Sequence, residues 1–375
     1  MHTAPVSTEI EISLFGPGYG ESVVLHLGEN SWFIVDSCID PTTGDPAPLT
    51  YLRQIQIDPA TSVQQVIATH WHDDHIRGLG RIFDTCASAE FVCSAALRDA
   101  EFRTLVMAYG ERAMMTSPGV QEFYQVIQVL RARSQHRHPC PPVFATTGRC
   151  LWQRAISIAD VQYPCTVYAL SPSDVSILLA HRHLATLLPQ ENATKLRVPT
   201  LTPNHAAVVL WINIGEAFIL LGSDLEEIGA PGTGWSAILG SSTYPQGKAS
   251  VFKIPHHGSH TADHPQVWRD MLDAEPYAVL TPFSLGRVAL PTRQDIDRIC
   301  ARTAQAYTTA IPRHRRRRDR PNVVEKTLRE TVRSIREVVT SIGHIRLRAD
   351  LATQPLSWKV ELFGDARPLH QLSVA

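Results

Sequence analysis

Residues 68–80 read ATHWHDDHIRGLG. Three histidines and two aspartates fall within positions 70–75, directly after VQQVIAT at 63–69, which has the composition of a buried strand. Side chains of this kind, crowded where a strand ends, are unsuited to packing. Imidazole nitrogens and carboxylate oxygens are the donors that zinc prefers, with manganese or iron as alternatives. The compact spacing H-x-H-x-D-H leaves little room for four ligands around one ion. It suits two adjacent ions, with His70 and His72 on one and Asp74 and His75 on the other. Paired ions about 3.5–4 Å apart bridge a water, lower its pKa from about 15.7 to about 7, and hold a leaving oxygen. The competing view is a polar loop, which a lone H-x-H would deserve; the six-residue pattern after a strand is far more specific.

A dinuclear centre needs further ligands from distant sequence. Asp224 ends the apolar run AFILLGSD and is placed to bridge both ions, although Asp224 to Glu227 also has helix-capping spacing. KIPHHGSH, residues 253–260, ends another strand. Alternation puts Phe252, Ile254 and His256 on one side, which favours His256 as ligand and leaves His257 to support it, to assist proton transfer or to bind an anion; the reverse assignment stays open.

The chain has 375 residues, 44% of them hydrophobic, and a formal net charge of −1. That is enough for a large core, and too little charge for a global field that would hold nucleic acid or a membrane. No apolar run reaches membrane-spanning length, and the first residues lack the pattern of a signal peptide. The seven cysteines are scattered without a CxxC pair, which suits reduced thiols and a cytoplasmic location.

Strands are expected in EIEISLF, SVVLHLG, SWFIVDSC, CTVYALSP, AAVVLWIN, AFILLGSD, ASVFKI and YAVLTPFS, with a closing antiparallel pair in HIRLRADL and WKVELFGD. Residues 94–135 have helical periodicity after Ser117-Pro118, 136–165 look irregular, and Asn322 to Glu325 has capping-box spacing before a second amphipathic helix. A single domain over 1–375 is expected, with 81–165 forming a cap and 311–340 inserting a basic loop plus helix.

These residues resemble the metallo-β-lactamase fold, and within it the hydrolase domain of the ComEC-like DNA-uptake channel proteins. GPGYGESVVLHLG (16–28) and WFIVDSC (32–38) stand where that subfamily has a glycine loop and an aspartate-ending strand, with Glu21 replacing the usual aspartate and Asp36 retained. THWHDDH is similar to the first metal motif, PNHAAVVLWI (203–212) to an asparagine segment, ILLGSDLEE (219–227) to the bridging-aspartate segment, and KIPHHGSH to the HHGS segment. The resemblance spans roughly residues 10–310 and is interrupted between 81 and 165. It implies a four-layer αββα sandwich, a site holding two divalent ions, and metal-dependent hydrolysis of a phosphodiester, with Asp74, His257 and Asn204 taking part in catalysis. Many relatives place a histidine before the bridging aspartate; His205 could supply it by a one-residue shift from Asn204, or could be a rim histidine. Ala207 replaces the subfamily's serine.

The arginines at 313, 315, 316, 317, 318 and 320 add a charge run. Arg315, Arg316, Arg317 and Arg318 could steer a phosphate backbone, while such a block is often only an exposed loop. The substrate expected is nucleic acid or a small phosphate-containing molecule. Two alternatives remain: hydrolysis of a small nucleotide-derived, ester or amide substrate beneath a cap, and a non-catalytic metal-stabilised module of a larger assembly. Similar stand-alone hydrolases accompany bacterial defence ATPases, which makes a protein partner of that kind an expectation.

Overall fold

The computed structural model describes residues 3–98, 102, 104, 106, 118–136, 141–158, 161–186, 203–243, 245–286, 288–312, 321–332 and 341–372. The basic run at 313–320, including Arg315 to Arg318, lies outside the described residues.

Two eight-stranded sheets form the centre. The first runs, edge to edge, β17 (Lys359–Phe363), β16 (Gly343–Asp350), β1 (Glu9–Gly16), β2 (Ser22–Leu27), β3 (Trp32–Val35), β4 (Val63–Ala68), β5 (Glu90–Ser94) and β6 (Val143–Ala145). The second runs β18 (Arg367–Pro368), β15 (Ala306–Thr308), β12 (Leu272–Leu280), β11 (Ala249–Lys253), β10 (Ala217–Leu221), β9 (Leu210–Ile214), β8 (Val161–Ala169) and β7 (Arg149–Ile158). A small hairpin, β13 (Phe283–Leu285) with β14 (Val288–Leu290), stands apart.

Strand alternation explains the layers. Ile10, Ile12 and Leu14 of β1, with Phe33, Val35 and Ile67, face Leu210, Ile212, Ile219 and Val251 of the other sheet in one core. The opposite faces carry Trp32, Ile34 and Val66 under one set of helices, and Trp211, Leu220 and Phe252 under another. Strands buried on both faces become nearly continuous apolar runs, as β3 is. The arrangement is a mixed α/β sandwich with helices outside both sheets. Each fully buried Ile, Leu or Phe in the shared layer contributes about 1.5–3 kcal/mol by leaving water, so the ends of β4 and β10 are held firmly.

Helices on the first sheet include α1 (Ala47–Gln54), α2 (Pro59–Ser62), α3 (Asp73–Ile76), α4 (Leu79–Thr85) and α5 (Pro118–His136). α6 (Asp174–Ala185) packs against Ala95–Leu97 and Pro203–Ala206, with Leu184 joining the cluster outside the first sheet; the second sheet carries α7 (Gly234–Leu239), α8 (Pro265–Asp270) and α9 (Arg293–Cys300), and α10 (Asn322–Thr331) follows later. No described helix is long and apolar enough to cross a membrane.

Two local expectations change. Of the stretch 136–165 the described residues 141–158 and 161–165 are largely regular: β6 joins the first sheet, and β7 with β8 forms a long antiparallel pair of the second. Its histidines, prolines and cysteines hide a strand in LWQRAISI, where Leu151 and Ile156 reach the core. Asn322 is the first residue of α10 and not its cap, because Pro321 occupies the cap position and no side chain caps the helix.

One polar cluster sits beneath α1. Glu11, fully buried, accepts from Ser13 Oγ (2.7 Å), Tyr51 OH (2.6 Å) and Arg348 Nε (2.7 Å). His344 Nε2 lies 2.9 Å from Ser13 Oγ, and its ring stacks on Phe15.

Candidate metal centre

All elements of the centre are the carboxyl ends of strands that run parallel to a neighbour, where loops leave the sheet and side chains converge. After β3, Asp36 adopts φ +59°. Its Oδ1 accepts from Thr69 N (2.8 Å), and its Oδ2 accepts from Thr69 Oγ1 (2.7 Å) and lies 2.8 Å from His75 Nδ1. One carboxylate thereby ties β3 to the end of β4 and orients the His75 ring, so that Nε2 faces inward. α3 then turns Asp74 and His75 toward the same point. The glycine loop after β1 closes over it: Glu21 N donates to Asp74 O (2.9 Å). At Gly20 (φ +107°) a Cβ would stand 2.9 Å from Cys38 Cβ, so no larger residue fits that crossing.

The second sheet supplies the other half. Asp224 follows β10 and is 2% exposed. Gly222 permits the chain to pass Lys253, whose carbonyl oxygen a Cβ there would meet at 2.9 Å. After β11, His256 (φ +45°) and His257 (φ +54°) both adopt the left-handed region. Two adjacent non-glycine residues there store strain that persists only when surroundings impose it.

That turn decides which histidine enters. His257 Nε2 lies 3.2 Å from Asp74 Oδ2 and 3.5 Å from Asp224 Oδ2, and its Nδ1 lies 3.1 Å from Thr281 O. His256 faces elsewhere: Nδ1 is 3.1 Å from Glu226 Oε1, and Nε2 is 3.4 Å from Asn204 Nδ2. The lean toward His256 as the inward residue is therefore corrected. Strand alternation ends at Pro255, and the left-handed pair swings His257 inward. Asn204 donates to Glu226 Oε2 (2.9 Å) and so belongs to the flanking set with His256.

Ligand atoms of Asp74, His75, Asp224 and His257 lie within 4.8 Å of one another, as do those of His70, His72 and Asp224. Asp224 is common to both groups. A third grouping, Asp36 with His70 and His75, uses a carboxylate already engaged by Thr69 and His75 Nδ1, which marks Asp36 as an orienting residue. His205 enters no such group among the described residues. It lines, with His70, Trp71, Leu97, His183 and Leu184, a cleft of about 380 Å³.

Buried His70 Nε2, His75 Nε2 and Asp224 Oδ1 have no hydrogen-bond partner, although His75 Nε2 stands 3.3 Å from Asp224 Oδ1. Leaving such groups unmet costs roughly 1–3 kcal/mol each. A divalent cation would satisfy all three, so the donor set fits one. The electrostatics agree. Burial opposes the charge on Asp74 and Asp224, yet His75 and His257 hold both carboxyls well below their usual range. Burial likewise opposes charge on His75, but Asp224, Asp74 and Asp36 hold its pKa well above normal. The His70 ring goes the other way, lowered by burial and by its neighbours His75 and His72. In the flanking set, burial works against the Glu226 charge, while bonds from His256, Thr261 and Asn204 hold its pKa at about 2. The centre is thus a buried well of negative potential.

Two neighbours escape sequence reasoning. Lys253, 1% exposed, donates to Ser223 O (2.9 Å), pairs with Glu21 and lies 3.8 Å from Asp224 Oδ1. Glu21 also accepts from Thr281 Oγ1. The available signal was a lysine inside the apolar strand SVFKI. Tyr19, at the tip of the glycine loop, packs against Phe283 at 5.6 Å and under Arg77 at 5.1 Å. Burial and the charge of Asp74 push its phenol up to about 12.

The model of the Metallo-beta-lactamase superfamily matches residues 15–129, a span that includes the glycine loop, Asp36 and the His70–His75 cluster. No curated protein matches the chain. Similar solved structures include a HARLDQ-motif mutant of a metallo-beta-lactamase from Cronobacter sakazakii, 14% identical, covering 64% of this chain and 75% of that one at a TM-score of 0.34. Rm3 metallo-beta-lactamase is 15% identical over 69% of this chain and 81% of its own, with a TM-score of 0.32. MEM-A1, a subclass B3 metallo-beta-lactamase from a soil metagenome library, is 15% identical over 68% and 80%, with a TM-score of 0.30.

Proposed function

We propose that the protein is a metal-dependent hydrolase acting on phosphodiesters, with two divalent ions, zinc or manganese, held between the sheets. The observation that supports this most is Asp224, one carboxylate shared by two close groups of His and Asp donors. Asp74, His75, Asp224 and His257 would hold one ion, and His70, His72 and Asp224 the other. Ions bound there supply Lewis acidity, which brings water near neutrality in pKa and offsets charge developing on phosphate oxygens.

The chain's own residues set the rest. Asp36 accepts from His75 Nδ1 and fixes the tautomer that leaves Nε2 as a donor atom. The Thr281 carbonyl oxygen does the same for His257. Lys253 and Glu21 support the Asp224 turn from behind. On the flank, the His256 ring, braced by Glu226, and the Asn204 amide are placed to orient a substrate oxygen.

A second reading, a small ester, amide or nucleotide-derived substrate, is favoured by the narrow cleft beside His70, whose walls are Trp71, Ala96, Leu97, Ala180, Leu184 and Ala206. Assays of the zinc- and manganese-loaded protein on bis(p-nitrophenyl) phosphate, supercoiled plasmid (read as nicking) and p-nitrophenyl acetate separate the readings. Asp74→Ala is expected to abolish diester turnover while the far-ultraviolet dichroism stays unchanged. Residual activity above a few per cent, or cleavage of the acetate alone, overturns the phosphodiester assignment.

A further inference from the structure

The geometry points to a substrate-recognition strip leading away from the metal centre, formed by Phe283, Tyr19 and Arg77, which takes a planar ring and a second anionic group of the same substrate. The inference rests on the phosphodiester reading and narrows it to nucleotide-like molecules.

The strip is continuous with the centre. The Phe283 ring lies 5.3 Å from that of His257, tilted by 33°. Tyr19 follows at 5.6 Å from Phe283, tilted by 47°. Arg77 closes the row with its guanidinium 5.1 Å from the Tyr19 centroid. Phe283 and Tyr19 are half-buried and Arg77 is exposed, beside a centre that is itself buried. Three separate loops bring them together: the glycine loop, the turn after α3, and the hairpin that follows Thr281. None of the three belongs to a metal-ligand group.

The chemistry of the row is specific. Half-buried aromatic rings bind the π-face of another ring, and base–aromatic stacking tolerates any base. Arg77 is held loosely: its one ion pair among the described residues, to Asp73 at 3.7 Å, is between partly exposed groups and is worth little. The cation–π contact orients the guanidinium without consuming its N–H donors, which leaves its planar fork for a phosphate. Lys253, the other cation near the centre, is buried and engaged by Glu21 and Ser223 O, so Arg77 is the exposed positive charge at the outer end of this row. A scissile diester at the ions, a base on Phe283 and Tyr19, and the next phosphate at Arg77 is the arrangement these side chains match. The charge run at 313–320 is not needed for it.

Calorimetry on the zinc-loaded full-length chain tests the strip without turnover. The probes are thymidine 3′,5′-bisphosphate, thymidine 5′-monophosphate and 2-deoxyribose 5-phosphate. Wild type is expected to bind the bisphosphate about tenfold tighter than the monophosphate, and Arg77→Ala to erase that preference. Tyr19→Leu is expected to weaken both thymidine ligands by about tenfold and to leave the sugar phosphate within about twofold. Equal affinities in wild type and Arg77→Ala, no ring preference, or no binding overturns the strip. Loss of zinc from either variant also overturns it, because the residues would then be supports of the centre. Arg77-dependent binding without any phosphodiester cleavage sinks the reaction and keeps the strip; cleavage with flat binding does the reverse.

Discussion

Two clusters of buried charge lie in this sandwich, and they differ in how completely they are satisfied. Around Glu11, every polar side chain that touches the carboxylate finds a partner: Ser13, Tyr51 and Arg348 all donate, and none of the four has an unpartnered buried atom. Around Asp224, equally buried, His70 Nε2, His75 Nε2 and Asp224 Oδ1 are orphaned, and the backbone at His256 and His257 is strained. Burial of charge therefore does not by itself mark a reactive site. A closed network holds strands together, whereas an open one, with donor atoms gathered at a common point, is suited to a cation.

The contrast breaks most visibly at Asp224. Asp224→Ala should lower turnover by at least about 10³-fold and reduce the metal content of the purified chain, with little loss of stability in the metal-free form. Metal analysis alongside urea unfolding checks it, and full metal retention would erase the distinction between the clusters. The opposite pattern is expected at Glu11. Glu11→Gln leaves Arg348 without its counter-charge and should cost about 3–4 kcal/mol in unfolding free energy, with metal content unchanged.

A third buried histidine sharpens the comparison. His26, packed on Trp32 at 4.7 Å, stands opposite Glu11 in the β1–β2 ladder but makes no ion pair among the described residues, Glu11 being engaged by Arg348; burial lowers its pKa to about 4, and Arg348 adds to the shift. His75 is equally buried but faces three carboxylates, and its pKa moves up. For His26 the unfolded state binds more protons between about pH 4 and 6.5, so stability is full above 6.5 and falls as pH drops through that window. The loss attributable to His26 should not exceed about 3 kcal/mol. His26→Gln should flatten the pH dependence of the unfolding free energy over the same interval, and an unchanged slope would assign the acid sensitivity elsewhere.

The sequence made much of this visible. His70, His72, Asp74 and His75 share a local spacing of donor residues, and Asp224 ends an apolar strand, so residue type and place at a strand end single them out. The choice between His256 and His257 was not readable, because two left-handed φ angles after Pro255 cancel the alternation on which the inference depended. Lys253 was hidden for another reason: its meaning comes from its pairing with Glu21, which the resemblance had marked, across strands far apart in the chain. The β7–β8 pair was obscured by composition, since polar residues on its exposed face dilute the pattern. Tyr19 and Phe283 carry no local signal, being ordinary loop aromatics until the fold sets them side by side.

The position of β16 has a consequence for how the molecule is made. β16 lies between β17 and β1, pairing Glu9 with Asp350 and Gly16 with Gly343. During synthesis β1 leaves the ribosome early, yet its neighbour and the arginine that neutralises Glu11 emerge more than 300 residues later. Until then β1 is an open edge carrying a lone acid, exposed to wrong pairing. Completion of the first sheet is therefore a late event, and a chain that stalls before residue 343 holds the whole His70–His75 cluster on a scaffold it cannot close.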